Sequence, residues 1–292
     1  MNTQRHERST PSTDNNEEVS EQLSQEHFHL IKTMLYDTAG ITLADHKRNM
    51  AHNRIAKRIK ELNIPCFDDY ISYLNKHQEE EISNLVNALT TNVTHFFREQ
   101  HHFEHIKQET AALLKAGQTK IRIWSAGCSI GAEPYSTAIT LYDLQQSLGI
   151  RADIKILATD IDTTALETAR NRKYPERNIK GLSKEHLNKH FTTACINGEN
   201  FYKLKDHVRN MVSFNYLNLN ETKWPMKGPF DFIFCRNVFI YFDREKQLEY
   251  VDKMTDLLKT GGYLLLGHSE HFAAENVKYK TCGQTTYQKI SD

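Results

Sequence analysis

The segment Trp124-Ser-Ala-Gly-Cys-Ser-Ile-Gly-Ala-Glu-Pro134 sets two glycines four residues apart, where an apolar run gives way to a helical pattern. Glycines at such a turn let the backbone approach a ligand closely, and the following helix start offers free N–H groups. Gly127-x-x-x-Gly131 is not the G-x-G-x-x-G fingerprint of dinucleotide sites. An ordinary strand-to-helix turn would have the same composition. The second feature is Asp160 in Ala158-Thr-Asp-Ile-Asp162. A carboxylate ending the second strand of a nucleotide-binding α/β fold can accept two ribose hydroxyls. Asp162, followed by Thr-Thr-Ala-Leu-Glu, is the better helix cap and leaves Asp160 for the ligand. The third feature is Arg236-Asn237, with Tyr241 four residues on, closing the apolar run that starts at Phe230. Ligands of doubly wound folds sit beyond the carboxyl ends of the strands, where these residues fall. A structural pairing of Arg236 with a carboxylate is the plainer alternative.

Three further groupings complete the chemistry. In Thr90-Thr-Asn-Val-Thr-His-Phe-Phe-Arg98, polar Asn92, Thr94 and Arg98 alternate with apolar side chains. An interdomain hinge packed by phenylalanines would read the same way. On a helix over 45–62, Lys47, Arg54, Lys57 and Arg58 share an arc of about 100° beside an apolar stripe. They could dock an acidic surface, although most charge runs are solvated faces. His101/His105 and His186/His190 are four apart, and His268 is near His271. None brings the Glu of an H-E-x-x-H motif, so no metal is expected.

These residues need elements to hold them. Residues 1–20, apolar only at Met1 and Val19, are expected to form a disordered tail. From 21 to 92, apolar residues such as Phe28, Ile31 and Leu35, then Ala51, Ile55, Ile59 and Leu62, repeat at helical spacing, giving a small helical domain. A linker is expected over 93–110. From 111 to 292 strands and helices alternate: strands at Ile121–Gly127, Ile154–Asp160, Phe230–Cys235 and Tyr263–Leu266, helices at Ala132–Leu148, Thr163–Arg170 and Glu245–Leu258. That order implies an α/β fold with a mostly parallel, doubly wound sheet. The rhythm breaks at about 180–216, where strand-like Phe201-Tyr-Lys-Leu-Lys and Met211-Val-Ser-Phe and an Asn197-Gly198 hairpin signal suggest an antiparallel insertion.

Composition narrows the function classes. Lys plus Arg and Asp plus Glu are both 37, so net charge is zero, and a non-specific nucleic-acid binder would carry a basic excess. No apolar run reaches the ~18 residues of a membrane span. No secretory signal is read at Met1-Asn-Thr-Gln-Arg-His, and the five cysteines contain no C-x-x-C, which fits a reducing cytoplasm.

Taken in order, Thr91–Arg98, Trp124–Ser136, Asp160-Ile-Asp162, Pro229–Phe242 and Gly267-His-Ser-Glu270 resemble the chemotaxis receptor methyltransferases, the CheR family, over about residues 20–290. The resemblance implies a small all-α domain, then a class I S-adenosylmethionine-dependent domain carrying a small antiparallel β-subdomain. It implies transfer of a methyl group to glutamate side chains on the cytoplasmic helical region of chemoreceptors, leaving S-adenosylhomocysteine. It further implies a monomer, with no nucleic-acid partner and no membrane insertion. By the same resemblance, Asn92, Thr94 and Arg98 lie near the methionine part of the cofactor. Glu133 and Asp160 are acidic contacts, Asp160 on the ribose, and Gly127 is also assigned to cofactor binding. Asn218 and Leu219 lie near the adenine, and Arg236 and Asn237 form a strand-end pair. Arg98 and Tyr241 face the acceptor carboxylate. Ala132 departs from the Glu or Gln often found there in the family. A methyltransferase on another acceptor and a non-catalytic cofactor sensor are the competing function classes. An adenine-N6 enzyme would want Asn-Pro-Pro-Tyr, and Asn237-Val-Phe-Ile-Tyr241 lacks the prolines.

Overall fold

In a computed structural model of the chain, residues 22–196, 198–271 and 278–291 are described. Four helices come first: α1 (Gln25–Ala39), α2 (Arg48–Glu61), α3 (Phe67–Lys76) and α4 (Gln78–Leu89). Their apolar stripes meet in one core, in which Phe28, Ile31, Ile55, Ile59, Tyr70 and Leu85 are buried. The Ser24 hydroxyl caps α1 through the His27 N–H, and Gly40 ends it in the left-handed conformation. The tail expected over 1–20 lies outside the described residues.

The second part runs α5 (His101–Lys115), β1 (Lys120–Ala126), α6 (Ala132–Leu148), β2 (Asp153–Asp160), α7 (Thr163–Asn171), β3 (Lys173–Pro175), α8 (Lys184–His190), β4 (Phe191–Ile196), β5 (Glu199–Leu204), α9 (Asp206–Arg209), β6 (Val212–Tyr216), β7 (Phe230–Cys235), α10 (Arg244–Leu257), β8 (Leu258–Leu266), β9 (Tyr279–Gly283) and β10 (Thr286–Lys289). Seven strands form one sheet in the order β6-β2-β1-β7-β8-β10-β9. The first five are parallel, and β10 and β9 close the edge antiparallel. Strand alternation divides the sheet between two cores. Ile121, Ile123, Phe232 and Phe234 face Ile106, Tyr135 and Ile139 of α5 and α6, whereas Trp124, Ala126, Ile233 and Cys235 face Tyr250, Val251 and Met254 of α10.

Two sequence expectations shift. The stretch expected as a linker, 93–110, holds the first ten residues of α5, which buries His102, Phe103, Ile106, Thr110 and Leu114. The insertion is a three-stranded sheet, β3-β5-β4, and Met211-Val-Ser-Phe is not part of it. That strand pairs with β2 at the edge of the main sheet, Ile156 opposite Val212 and Asp160 opposite Tyr216. Asn197 of the hairpin signal lies outside the described residues; Gly198 has φ +81° and β4 and β5 pair antiparallel around it.

Candidate active site

The carboxyl ends of β1, β2 and β7 open onto a cavity that holds about 1070 Å³ of non-protein space, its mouth included. The helical part roofs it with Ala39, Ile41 and Leu89, and the junction after α4 supplies 90–95 and Arg98. All eleven cofactor and acceptor residues singled out in the sequence line it: Asn92, Thr94, Arg98, Gly127, Glu133, Asp160, Asn218, Leu219, Arg236, Asn237 and Tyr241.

The turn after β1 is fixed by sterics and by β2. Gly127 has φ +74°, and a Cβ there would lie 2.3 Å from Val238 Cγ2. The N–H groups of Gly127 and Cys128 both donate to the Thr159 carbonyl, at 2.8 and 2.9 Å. Ser129 N–H then donates to Asp160 Oδ2 at 2.6 Å, and Asp162 N–H to Oδ1 at 2.9 Å. Each carboxylate oxygen of Asp160 retains acceptor capacity for a ligand hydroxyl. Burial outweighs these two bonds and pushes the carboxyl up to about 6.

Asp162 caps α7, as expected, through the N–H groups of Thr164 and Ala165, both at 2.9 Å. Its other oxygen does something the sequence did not reveal. It accepts from Thr90 Oγ1 at 2.8 Å and Asn92 Nδ2 at 2.6 Å, so one carboxylate sets both a helix start and the interdomain junction. Asn218 has a similar double duty: Nδ2 donates to the Thr38 carbonyl at 2.7 Å, and Oδ1 accepts from Asn220 N–H at 3.0 Å.

Arg236 is buried between two carboxylates. Nη1 is 3.0 Å from Glu133 Oε2 and Nη2 is 3.4 Å from Glu99 Oε2, and Nη2 also donates to the Arg98 carbonyl. The structural pairing weighed for Arg236 is therefore real, and it coexists with a place on the cavity wall. Burial pushes Glu133 upward while Arg236 and the Ser125 hydroxyl pull it back. Arg236 Nε and Ser129 Oγ are buried with no hydrogen-bond partner among the described residues. Such orphaned groups are costly unless a ligand satisfies them, and a polar, carboxylate-bearing cofactor offers suitable acceptors. Cavity size, the bare Gly127 turn and these open donors all fit S-adenosylmethionine. Glu99 itself carried no spacing signal beyond its place next to Arg98.

Arg98 and Tyr241 each bind the junction segment where it lines the cavity. Arg98 Nη1 donates to the Val93 carbonyl at 3.0 Å, and Tyr241 Oη to the Thr91 carbonyl at 3.4 Å. Burial raises the Tyr241 phenol, so it stays a neutral donor.

The basic stripe needs correction. Arg54 does not present its charge to solvent: Nη1 donates to the carbonyls of Leu89 and Thr90 at 2.9 and 2.6 Å, capping α4, and Nη2 to Thr91 Oγ1 at 3.2 Å. Arg58 binds buried Glu81 through two bonds, at 2.9 and 2.7 Å. Lys47 lies 5.5 Å over the Tyr241 ring. Lys57 alone of the four is widely exposed, at 82%. Orphan carbonyls at a helix end and a buried carboxylate both attract guanidinium groups, and the arc on the sequence could not show those partners.

Of the histidines, His190 contacts Asp143 and His207, at 3.1 and 3.0 Å. Among the described residues, the metal-ligand-type grouping Glu99, His101 and His102 brings its ligand atoms within 4.8 Å. It lies at the positive start of α5 with the Arg236 guanidinium beside it, an unfavourable setting for a further cation. Burial and Arg236 push His102 down to about 3, so it is neutral.

Comparison with known proteins agrees with this geometry. Residues 26–90 match the family model for the CheR methyltransferase all-alpha domain, and 92–288 the CheR methyltransferase SAM binding domain. The chemotaxis protein methyltransferase of Salmonella typhimurium is 40% identical over 272 residues, 92% of each chain. Chemotaxis protein methyltransferase 2 of Pseudomonas aeruginosa is 36% identical, covering 90% of this chain and 93% of that one. The chemotaxis protein methyltransferase of Borreliella burgdorferi is also 36% identical, covering 86% and 89%. Two family domains in sequence, relatives along nearly the whole length, and an α/β domain whose strand ends frame a cofactor-sized cavity lead to one conclusion: the chain belongs to the CheR family of S-adenosylmethionine-dependent chemotaxis methyltransferases.

Proposed function

We propose that this methyltransferase esterifies glutamate side chains on the cytoplasmic helical region of chemoreceptors. The observation that carries the reading is that Arg98 and Tyr241 line the same cofactor cavity, in a chain 40% identical to a chemotaxis protein methyltransferase. A cation and a neutral phenol on one cavity wall suit a carboxylate acceptor. The cofactor supplies an electrophilic methyl on a sulfonium sulfur. A free Glu, with pKa ≈ 4.3, is already ionised near pH 7, so the chain needs no general base. Its residues instead orient and desolvate. Asn92 and Thr94, Glu133 and Asp160, Asn218 and Leu219, and Arg236 and Asn237 are assigned to the cofactor. Arg98 is assigned to one acceptor oxygen and leaves the other free to attack. The hold must be moderate, because a strong ion pair would also quench the nucleophile. Positioning of this kind lowers a barrier by removing orientational freedom.

The same reading expects a cytoplasmic enzyme that acts as a monomer and inserts nothing into the membrane. Lys57, and Lys47 where it rims Tyr241, are the remaining candidates for contact with an acidic receptor helix. The test is transfer of labelled methyl from S-adenosylmethionine to receptor-bearing membranes, with mapping of base-labile esters. Label on glutamates supports the reading. Label confined to nucleic acid or small molecules, or none despite cofactor binding, removes it.

A further inference from the structure

Glu270 lines no part of the cavity, yet it is 5% exposed, and its carboxylate ties the turn after β8 to the loop that follows β7. Oε2 accepts from Gly267 N–H at 2.6 Å and from Asn237 N–H at 2.8 Å, and Oε1 from Ile240 N–H at 3.3 Å. That loop contains Asn237, Val238 and Tyr241, all on the cavity wall. Asn237 sits at φ +60°, a left-handed conformation uncommon for non-glycine residues but one that asparagine adopts more readily than most. The approach from the Glu270 side is as close as chemistry permits. A Cβ on Gly267 would lie 2.6 Å from Asn237 Nδ2 and 2.8 Å from Glu270 Oε2. On the opposite side Val238 fills the space left by the bare Gly127. The loop is thus wedged between the β1 turn and one buried carboxylate.

We infer that Glu270 is a positioning residue for methyl transfer: its carboxylate collects the backbone N–H groups of Gly267, Asn237 and Ile240 and so holds the Asn237 amide and the Tyr241 ring on the cavity wall. Three donors converge on one side chain, and an ionised carboxylate, with four acceptor sites and no donor, serves all of them. A glutamine of the same shape turns an N–H₂ group toward at least one backbone N–H.

The test is Glu270→Gln, alone and combined with Asn237→Ala, in the full chain. Glu270→Gln should weaken S-adenosylhomocysteine binding roughly five- to tenfold by calorimetry. If it acts through Asn237, the same change in the Asn237→Ala background should weaken binding less than about twofold, since coupled residues are non-additive. Turnover at saturating cofactor should fall by more than about tenfold, because Tyr241 rides on the same loop. The turnover arm rests on the acceptor reading above; the product-binding arm does not, so the two can fail separately. Unchanged product affinity in folded Glu270→Gln protein, or an equal loss in both backgrounds, overturns the inference. Should Glu270→Gln not fold, Gly267→Ala presses a methyl into the same contact and should weaken product binding similarly. Wild-type binding in that variant would equally overturn it.

Discussion

Lowering the pH from 7 to 5 should weaken binding of S-adenosylhomocysteine about tenfold, and Asp160→Asn should abolish that dependence. Burial pushes the Asp160 carboxyl up to about 6, against the pull of the Asp162 and Ser129 N–H groups. Relative to its ordinary 3.8, that rise makes the charge in the empty site cost about 3 kcal/mol at neutral pH. The sign follows from the raised value. For this group the empty protein is most stable below about pH 4 and loses that contribution as pH rises through about 6. Ribose hydroxyls donate to the ionised form, so ligand and proton compete for one carboxylate. With a pKa of about 6, roughly a tenth of empty sites are protonated at pH 7 and roughly nine-tenths at pH 5. The affinity ratio is then about ten, or about 1.4 kcal/mol. Calorimetry in two buffers of different ionisation heat reads the dissociation constant and the released proton together. The buried carboxyls of Glu133 and Glu270 are also raised. Asp160→Asn subtracts them, because it keeps the shape and removes this titration alone. A flat wild-type affinity from pH 5 to 7, or the same slope in the variant, would refute the assignment of Asp160 to the ribose.

Other outcomes follow from neighbouring geometry. Arg58→Ala strands the buried Glu81 carboxylate with only Tyr70 and Asn84 as partners, at 3.0 and 3.1 Å; stability should drop by about 3–5 kcal/mol in chemical denaturation, with cofactor affinity of the folded fraction unchanged. Gly127→Ala drives a methyl into Val238 at φ +74° and should weaken product binding sharply while the circular-dichroism spectrum stays that of the folded chain; normal binding would show that the turn can relax. Arg98→Ala and Tyr241→Phe should slow single-turnover methylation at saturating cofactor without a matching loss of product affinity, and full recovery of rate under saturation would make them cofactor residues instead.

Much of this arrangement is legible in the amino-acid sequence. The cavity-lining residues follow strand ends, and strand ends are visible wherever an apolar run stops at Gly127, Asp160 or Arg236. The hidden parts share one cause: their partners are remote in the chain. Arg54 caps a helix whose last carbonyls lie 34 to 36 residues away, and Arg58 meets Glu81 across 23. On a helical wheel both are merely basic. The strand β6 follows the hairpin in sequence but pairs back to β2, and alternation records the strand without naming its neighbour. The start of α5 is rich in histidine and charge, so its buried face over Phe103 and Ile106 was obscured.

The roof over the cavity has a modular consequence. Chain order cuts this protein near residue 91, between two family domains, yet no cut there yields a complete binding wall: Ala39, Ile41 and Leu89 stand on one side of it and Asp160 and Asn237 on the other. Hydrogen bonds between the two parts reinforce the dependence, with Thr42 N–H donating to the Tyr241 carbonyl at 2.8 Å and Asn218 Nδ2 to the Thr38 carbonyl. A fragment beginning at the junction would carry a cofactor cleft with an open lid and apolar flanks wetted by water. Exchange of the helical module between relatives is therefore not free: the donor must bring a roof that fits the same cofactor.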